Sequence, residues 1–457
     1  MSGTTASGER AGEQQTELKR VIGPKLLLFF VIGDILGTGI YALTGNVAGV
    51  IGGALWVPFL GAFVVAFLTA FSYLELVGKY PRAAGAALYT NRAFRIPFLT
   101  FIVAFAVMSS GITSASSAAV AFGKTYLREF VALPTWAVGI TFIVLLGLIN
   151  FRGVGESLKA NLVLTLIELS GLVIIIVIGV YAVATGEGEP SRLTEINTSE
   201  SGVLLAITSA TALAFFAMVG FEDSVNMAEE VQRPARIFPR SMLLGMGIAG
   251  LIYVLVTVTS SLLVRADRLA ELESGALLEV VRVGAPAFPI GLFAVIGLFA
   301  VVNSALINML MASRLVYGMS NERIIPLGLG TVHPTRRTPW MSILFTSAIA
   351  VVLVSFVPLD DLAGTTSLLL LAVFTLVNIA CLLLRREAVE HPHFRAPTWT
   401  PWVGAVLCGY LVTPLSGRDA KEYLIAAGLL VVGVVLYFVN RLVVGRVEFD
   451  PARLYRE

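Results

Sequence analysis

Apolar residues gather along this chain into long runs separated by short polar stretches. The runs lie at about 24–46, 48–77, 97–121, 136–150, 159–184, 203–222, 239–264, 287–312, 339–357, 361–384, 401–415 and 422–440. A helix needs about 20 apolar residues to cross the hydrocarbon core of a bilayer. Lipid-exposed backbone must satisfy its own hydrogen bonds, which leaves helices and closed barrels as spanning structures. The ten-residue alternation of a barrel strand is absent. The pattern therefore predicts an all-α integral membrane protein with 12 transmembrane helices. The short runs 136–150 and 401–415 must borrow flanking residues.

Composition points the same way. The chain is 57% hydrophobic and 14% charged, where a soluble domain carries about 25% charged residues. Mean hydropathy is +0.86, so a soluble fold would lack a polar skin. Residues 1–20 are polar and have no apolar core of a cleavable signal; they read as a disordered cytoplasmic tail. The net charge of +2 gives no reason to expect a nucleic-acid partner. Cys381 and Cys408 sit in apolar runs and read as small buried hydrophobes, with no disulfide framework. His333, His391 and His393 are scattered beside prolines, and no metal site is expected. The chain shows neither a phosphate-cradling loop nor a nucleophile–base pair, so it reads neither as an ATP-driven pump nor as an enzyme, and no cofactor is expected.

Charge sets the orientation. Of the 32 Lys and Arg residues, 24 fall on the side that twelve spans would share with both termini. Such a bias on short loops places that side in the cytoplasm. The expected location is the plasma (inner) membrane.

Two runs carry signs of interruption. The first reads Gly33-Asp34-Ile35-Leu36-Gly37-Thr38-Gly39-Ile40, and glycine weakens a helix interior. An unwound helix there presents N–H groups beside the positive end of a half-helix, which suits a carboxylate. Its freed carbonyls suit an ammonium. Close packing of small residues is the competing account of Gly33 and Gly37. The sixth run, Ala214 to Asp223, also has a mid-run glycine, Gly220, and ends in acids. Interrupted helices at corresponding places in two halves mark a transporter's binding site. This divides the chain into a first inverted half at 21–186 (spans 1–5), a second at 200–386 (spans 6–10), an added pair at 398–441 and a cytoplasmic tail at 442–457.

The sequence resembles the amino acid–polyamine–organocation transporter family from about residue 20 to 440. Gly33 through Tyr41 is similar to that family's first-span glycine motif. Tyr73-Leu74-Glu75-Leu76, with Tyr80-Pro81-Arg82-Ala83-Ala84-Gly85, resembles its 2–3 loop signature. Phe216 through Glu222, with Ala228-Glu229-Glu230 and Pro234, resembles its sixth-span motif. Ala312-Ser313-Arg314, Tyr317-Gly318-Met319, His333-Pro334 and Thr338-Pro339 resemble the end of span 8 and the 8–9 loop. Each is weak alone; four in order are specific.

The resemblance implies a LeuT-like 5+5 inverted repeat with spans 1 and 6 discontinuous. It implies that amides near Gly37, Thr38 and Gly39 hold a substrate carboxylate. The carbonyl of Ile35 and those around Phe216, Ala217 and Val219 would hold the amine. Phe216 would be an aromatic lid and Gly220 the unwinding point of span 6. Glu222 matches a motif acid below the site and also reads as a structural acid bonded to unwound backbone. Asn303 and Asn308 either line the side-chain pocket or bond between helices. Asp34 lies deep in span 1, where an ionisable residue reads as functional by default. Glu168 is the only acid inside span 5, where many proton-coupled relatives carry a lysine. Desolvation favours the protonated form of a carboxyl, so Glu168 suits a coupling proton, and its presence puts the lysine-type mechanism in doubt. Sodium is less favoured, because span 8 offers Asn303-Ser304 rather than two adjacent hydroxyls. The serines and threonine from Ser109 to Ser117 read as close helix packing.

The expectation is a proton-coupled, secondary-active amino acid transporter working by alternating access, with an amino acid and the bilayer as partners. An amine or polyamine transporter and an amino acid exchanger are the alternatives, with a non-transporting sensor or channel behind them. Substrate identity and oligomeric state are not legible.

Overall fold

The computed structural model describes residues 22–81, 85–152, 157–197, 202–228, 230–321, 325–336, 338–389 and 391–444, without the side chains of 157–160 and 444. The tail expected at 1–20, most of that at 442–457, and motif or loop residues Arg82, Ala83, Ala84, Glu229, Arg323 and Arg337 lie outside the described residues. The structure is helical, and no β-strand occurs among the described residues. Among the described residues, ten helical segments are long and apolar enough to cross a membrane, and two shorter apolar helices accompany them.

The first apolar run forms α1 (Pro24–Leu36) and α2 (Thr38–Ile51), separated by Gly37. There follow α3 (Trp56–Lys79), α4 (Gly85–Phe94), α5 (Pro97–Ala121), α6 (Thr135–Arg152) and α7 (Ser157–Thr185). The second part holds α8 (Val203–Ala214), α9 (Pro234–Leu263), α10 (Ala266–Leu272), α11 (Ala276–Gly284) and α12 (Ile290–Asn321). It ends with α13 (Trp340–Phe356) and α14 (Leu359–Leu384), and α15 (Trp399–Val412) and α16 (Ala420–Val444) follow.

Several expected boundaries are corrected. The first two runs divide at Gly52–Leu55 rather than at residue 47, because Gly52 adopts φ 88° and ends the helix. The helix of the eighth run continues past 312 to Asn321, since its last turns are polar but still hydrogen-bonded. The run expected at 401–415 yields only 14 helical residues: it gains two at its start and stops at Val412, where Thr413 turns extended. The last helix runs to Val444 instead of 440.

Helix pairing is regular. α5 packs on α12 and α14, and α12 packs on α7. α1 packs on α7 and α9, and α8 on α14 and α3. α6 pairs with α13; the short helix α4 lies on α14, and α11 on α7. Several hydroxyls of the buried polar stripe of α5 turn back onto their own helix, and that of Thr113 also pairs with Thr366 of α14 at 2.6 Å. Ser116 donates to the Ile112 carbonyl (2.8 Å) and Ser117 to that of Thr113 (3.0 Å). Such back-bonding satisfies a hydroxyl without a partner helix.

At the end of α3 a buried ion pair fixes α14. Arg385 makes a two-pronged contact with Glu75 at 2.9 and 2.7 Å. The Ala396 amide donates to the same carboxylate at 2.9 Å. Lys79 donates to the carbonyls of Leu384 and Glu387, capping the last turn of α14. Removing one partner of a buried pair leaves the other charge uncompensated, at about 3–5 kcal/mol. Glu75→Ala is therefore expected to lower the melting temperature of purified protein more than the double variant Glu75→Met/Arg385→Met does. A double-mutant cycle on melting temperatures checks this, and equal losses would rule out the ion pair as the anchor.

Candidate functional site

The two interruptions meet. Gly37 has ψ −137°, far from helical, so α1 stops and α2 restarts one residue later. The sixth run gives way over a longer stretch. α8 ends at Ala214, a tight 3₁₀ turn covers Phe215–Met218, Val219 is extended, and Gly220 takes φ 125°. That left-handed angle favours glycine. Space demands it as well, since a Cβ on Gly220 would lie 2.7 Å from the Asp34 carbonyl oxygen. Gly39 is just as confined, because a Cβ there would overlap the backbone of Ala217. Absent side chains thus let the two broken segments touch backbone to backbone.

A tyrosine joins them. The Tyr253 hydroxyl, from α9, lies within hydrogen-bond reach of the Ile35 carbonyl and of the Ala217 carbonyl (3.0 Å). Both carbonyls sit beside a break. One hydroxyl proton serves them in turn, so each oxygen keeps a lone pair for another donor. Below, the Glu222 carboxylate accepts the Gly220 amide at 2.9 Å, and the Asp223 amide donates to the Gly220 carbonyl at 3.0 Å. Glu222 thereby supplies an acceptor to backbone freed by the unwinding.

A small polar cavity lies at the meeting point. Asp34, Ile35, Thr38, Gly39, Phe216, Val219, Gly220 and Asn308, all expected from the sequence, line it. Ser114, Asp223 and Ser304 line it too. Its free volume is about 10 Å³, near the lower bound for one water. Phe216, one of its lining residues, is only 4% exposed. No Lys or Arg is among its lining residues, whereas two carboxyls are. Asp34 Oδ2 and Thr38 Oγ1 are buried without a hydrogen-bond partner among the described residues. Such groups are rare in folded proteins and call for an explanation, of which a ligand is one.

The other expected residues lie just outside the lining. Gly37 backs onto Ser304, whose Cβ would sit 2.9 Å from a Cβ at Gly37. Ala217 lies behind Gly39. The Asn303 amide reaches Asn161 at 3.5 Å, between α12 and α7. Glu168 is wholly buried on α7, with Asn303 beside its carboxyl. Its backbone carbonyl accepts the Tyr41 hydroxyl at 2.6 Å. Sequence reasoning missed Tyr253, because a tyrosine in an apolar run looks like core. It read Ser114 as packing and left out Asp223, although Asp223 directly follows the sixth-span motif.

Comparison with known proteins gives this geometry a family. Residues 22–437 match the family described as amino acid permease. The branched-chain amino acid permease BcaP of Bacillus subtilis is 26% identical over 458 residues, covering 94% of each chain. The methylthioribose transporter of the same organism is 27% identical over 456 residues, covering 94% of this chain and 95% of its own. The low-affinity putrescine importer PlaP of Escherichia coli is 26% identical over 380 residues, covering 80% of this chain and 82% of its own. With the match running through both broken helices to the last membrane helix, the chain belongs to the amino acid permease family of multi-pass membrane transporters.

Proposed function

We propose that this chain is a proton-coupled, secondary-active amino acid transporter that binds its substrate between the unwound parts of spans 1 and 6. The observation that carries the reading is the contact of two helix breaks around one small polar cavity. The first N–H groups of α2 have no intrahelical partner and lie at the positive end of a 14-residue helix. They suit a carboxylate at Thr38 and Gly39. The Ile35 and Ala217 carbonyls suit the ammonium, sharing it with Tyr253. Phe216 covers the site, and Ser114, Ser304 and Asn308 face the substrate side chain.

The wider architecture is twelve spans in a 5+5 inverted repeat with two added helices. The packing supports it: advancing each span number by five turns α5 on α14 into α12 on α7, and α1 on α7 into α8 on α14. It also turns α1 on α9 into α8 on α3, and α4 on α14 into α11 on α7. Both termini are assigned to the cytoplasm of a plasma membrane by the basic-residue bias. Spans 1, 2, 6 and 7 rock against 3, 4, 8 and 9. Glu168, buried between those groups and close to Asn303, carries the coupling proton.

A second reading is favoured by one observation. Asp34 and Asp223 both line the cavity with no basic residue among the lining, which suits an amine or polyamine.

The deciding experiment is radiolabelled uptake into proteoliposomes with acid outside and no sodium. Concentrative uptake of an amino acid, abolished by a protonophore, is expected. Competition by putrescine but not by neutral amino acids would establish the second reading, and uptake only into preloaded vesicles would make the protein an exchanger. Binding with no flux in sealed vesicles would make it a sensor. Gly39→Ala is expected to insert normally yet lose uptake, since the new methyl meets Ala217; normal uptake would sink the site assignment. Glu168→Gln is expected to retain exchange while losing response to the pH gradient. Tyr253→Phe strips the donor from two buried carbonyls, about 1–3 kcal/mol, and is expected to lower transport about 5- to 150-fold at unchanged expression.

A further inference from the structure

Arg418 lies in the turn between α15 and α16, which touches α8 where the Thr208 hydroxyl donates to the Ser416 carbonyl at 3.2 Å; on the twelve-span reading this turn shares the outer side with the loops after α2 and before α8. Its side chain is 1% exposed. Arginine has five N–H donors in a rigid fork, and here the guanidinium has five acceptors. Nε reaches the Leu411 carbonyl at 2.6 Å. One terminal nitrogen reaches the Gly364 carbonyl at 3.0 Å and the Glu422 carboxylate at 2.6 Å. The other reaches Ser367 Oγ at 2.8 Å and the Ala212 carbonyl at 3.4 Å. These acceptors come from α15, α14, α16 and α8. A buried arginine is costly unless paired and fully hydrogen-bonded, and both conditions are met.

The arrangement is built around a particular contact. Gly364 leaves room for Glu422, whose carboxylate a Cβ there would overlap. Ser367 accepts from Arg418 and itself donates to the Ala212 carbonyl, so α14 and the guanidinium grip the same oxygen. Ala212 belongs to the last turn of α8, where the helix presents its negative end. The 3₁₀ turn bearing Phe215 and Phe216 begins three residues on. The Phe215 ring also packs on Phe374 of α14, at 5.9 Å between centroids.

We propose that Arg418 is a positioning residue through which the last two spans hold α8 against α14, keeping the Phe216 turn closed over the cavity on its outer side. The inference rests on the reading of Phe216 as the cover of the substrate site. It assigns to spans 11 and 12, which lie outside the repeat, a part in gating. Opening the outer path requires α8 to part from α14, and the guanidinium fork resists that separation while leaving the inner path untouched.

The test uses the full chain in sealed right-side-out vesicles, with Ser114→Cys as a reporter in the cavity. The native Cys381 and Cys408 are both buried. An impermeant maleimide is added outside. Arg418→Lys keeps the charge and loses the fork; loss of one or two charge-assisted bonds is expected to speed labelling about 10-fold. Ser367→Ala, which removes only the shared hydroxyl, is expected to speed it by a smaller factor and guards against poor insertion of the lysine variant. Faster labelling in either variant supports the proposal. Unchanged labelling in the variants that insert, whatever their melting temperature, overturns it and leaves Arg418 as a mere anchor for α15 and α16. Protection of the reporter by amino acid in the parent protein is scored separately. Its absence would count against the substrate site, while the comparison between variants would still decide the role of Arg418.

Discussion

A helix that stops inside a membrane leaves amides and carbonyls without partners, in a solvent that offers none. Among the described residues of this protein lie two such stops, and much of its inner structure answers to them. The breaks are placed against each other, so each lies in protein rather than lipid. Glycines at 39 and 220 permit the approach, and larger residues at either position would force the backbones apart. Tyr253 supplies a proton to a carbonyl on each side. Glu222 accepts an amide that unwinding sets free. What remains is a short list of polar atoms facing one small space, the site proposed above for the substrate.

The same constraint explains where the charges sit. Glu75 and Arg385 lie at the end of the membrane-crossing helices, paired and bonded to backbone. Arg418 and Glu422 lie at the opposite end, with every guanidinium donor occupied. Both pairs act on α14, one at each end. Between them, Asn378 bonds to Ser72 at 2.6 Å and to Thr69 at 3.1 Å, linking α14 to α3 midway. α14 is therefore tied by polar contacts to the helix that neighbours the breaks, and Thr366 joins it to Thr113 of α5 at 2.6 Å.

How much of this the sequence discloses depends on whether a feature is local. Apolar runs disclose the spans, because membrane insertion is decided segment by segment. Their edges shift where helices continue into polar residues, as in the last turns of α12, since hydrogen bonding and not hydropathy ends a helix. The breaks are legible through Gly37, Gly39 and Gly220, whose unusual positions have local causes. Tyr253 is not legible, because its role arises from two carbonyls that are distant in sequence. Ser114 looks like its packing neighbours until folding turns it toward the cavity. Arg418 looks like any loop arginine, and only the convergence of four helices shows that it is buried.

The cavity's own chemistry bears on which ligand it was shaped to take. Its carboxyls alone would be satisfied by an amine. An amine without a carboxylate, however, leaves the first amides of α2 facing the ligand with no acceptor. An unpaired buried donor costs about 1–3 kcal/mol, and more than one amide is exposed at such a helix start. On the proposed reading an α-amino acid would answer both demands at once, its carboxylate meeting the amides and its ammonium meeting the Ile35 and Ala217 carbonyls. On the same reading, the acids beside the breaks would serve the ammonium end or the coupling proton, and the helix start would make the carboxylate the group that a ligand brings.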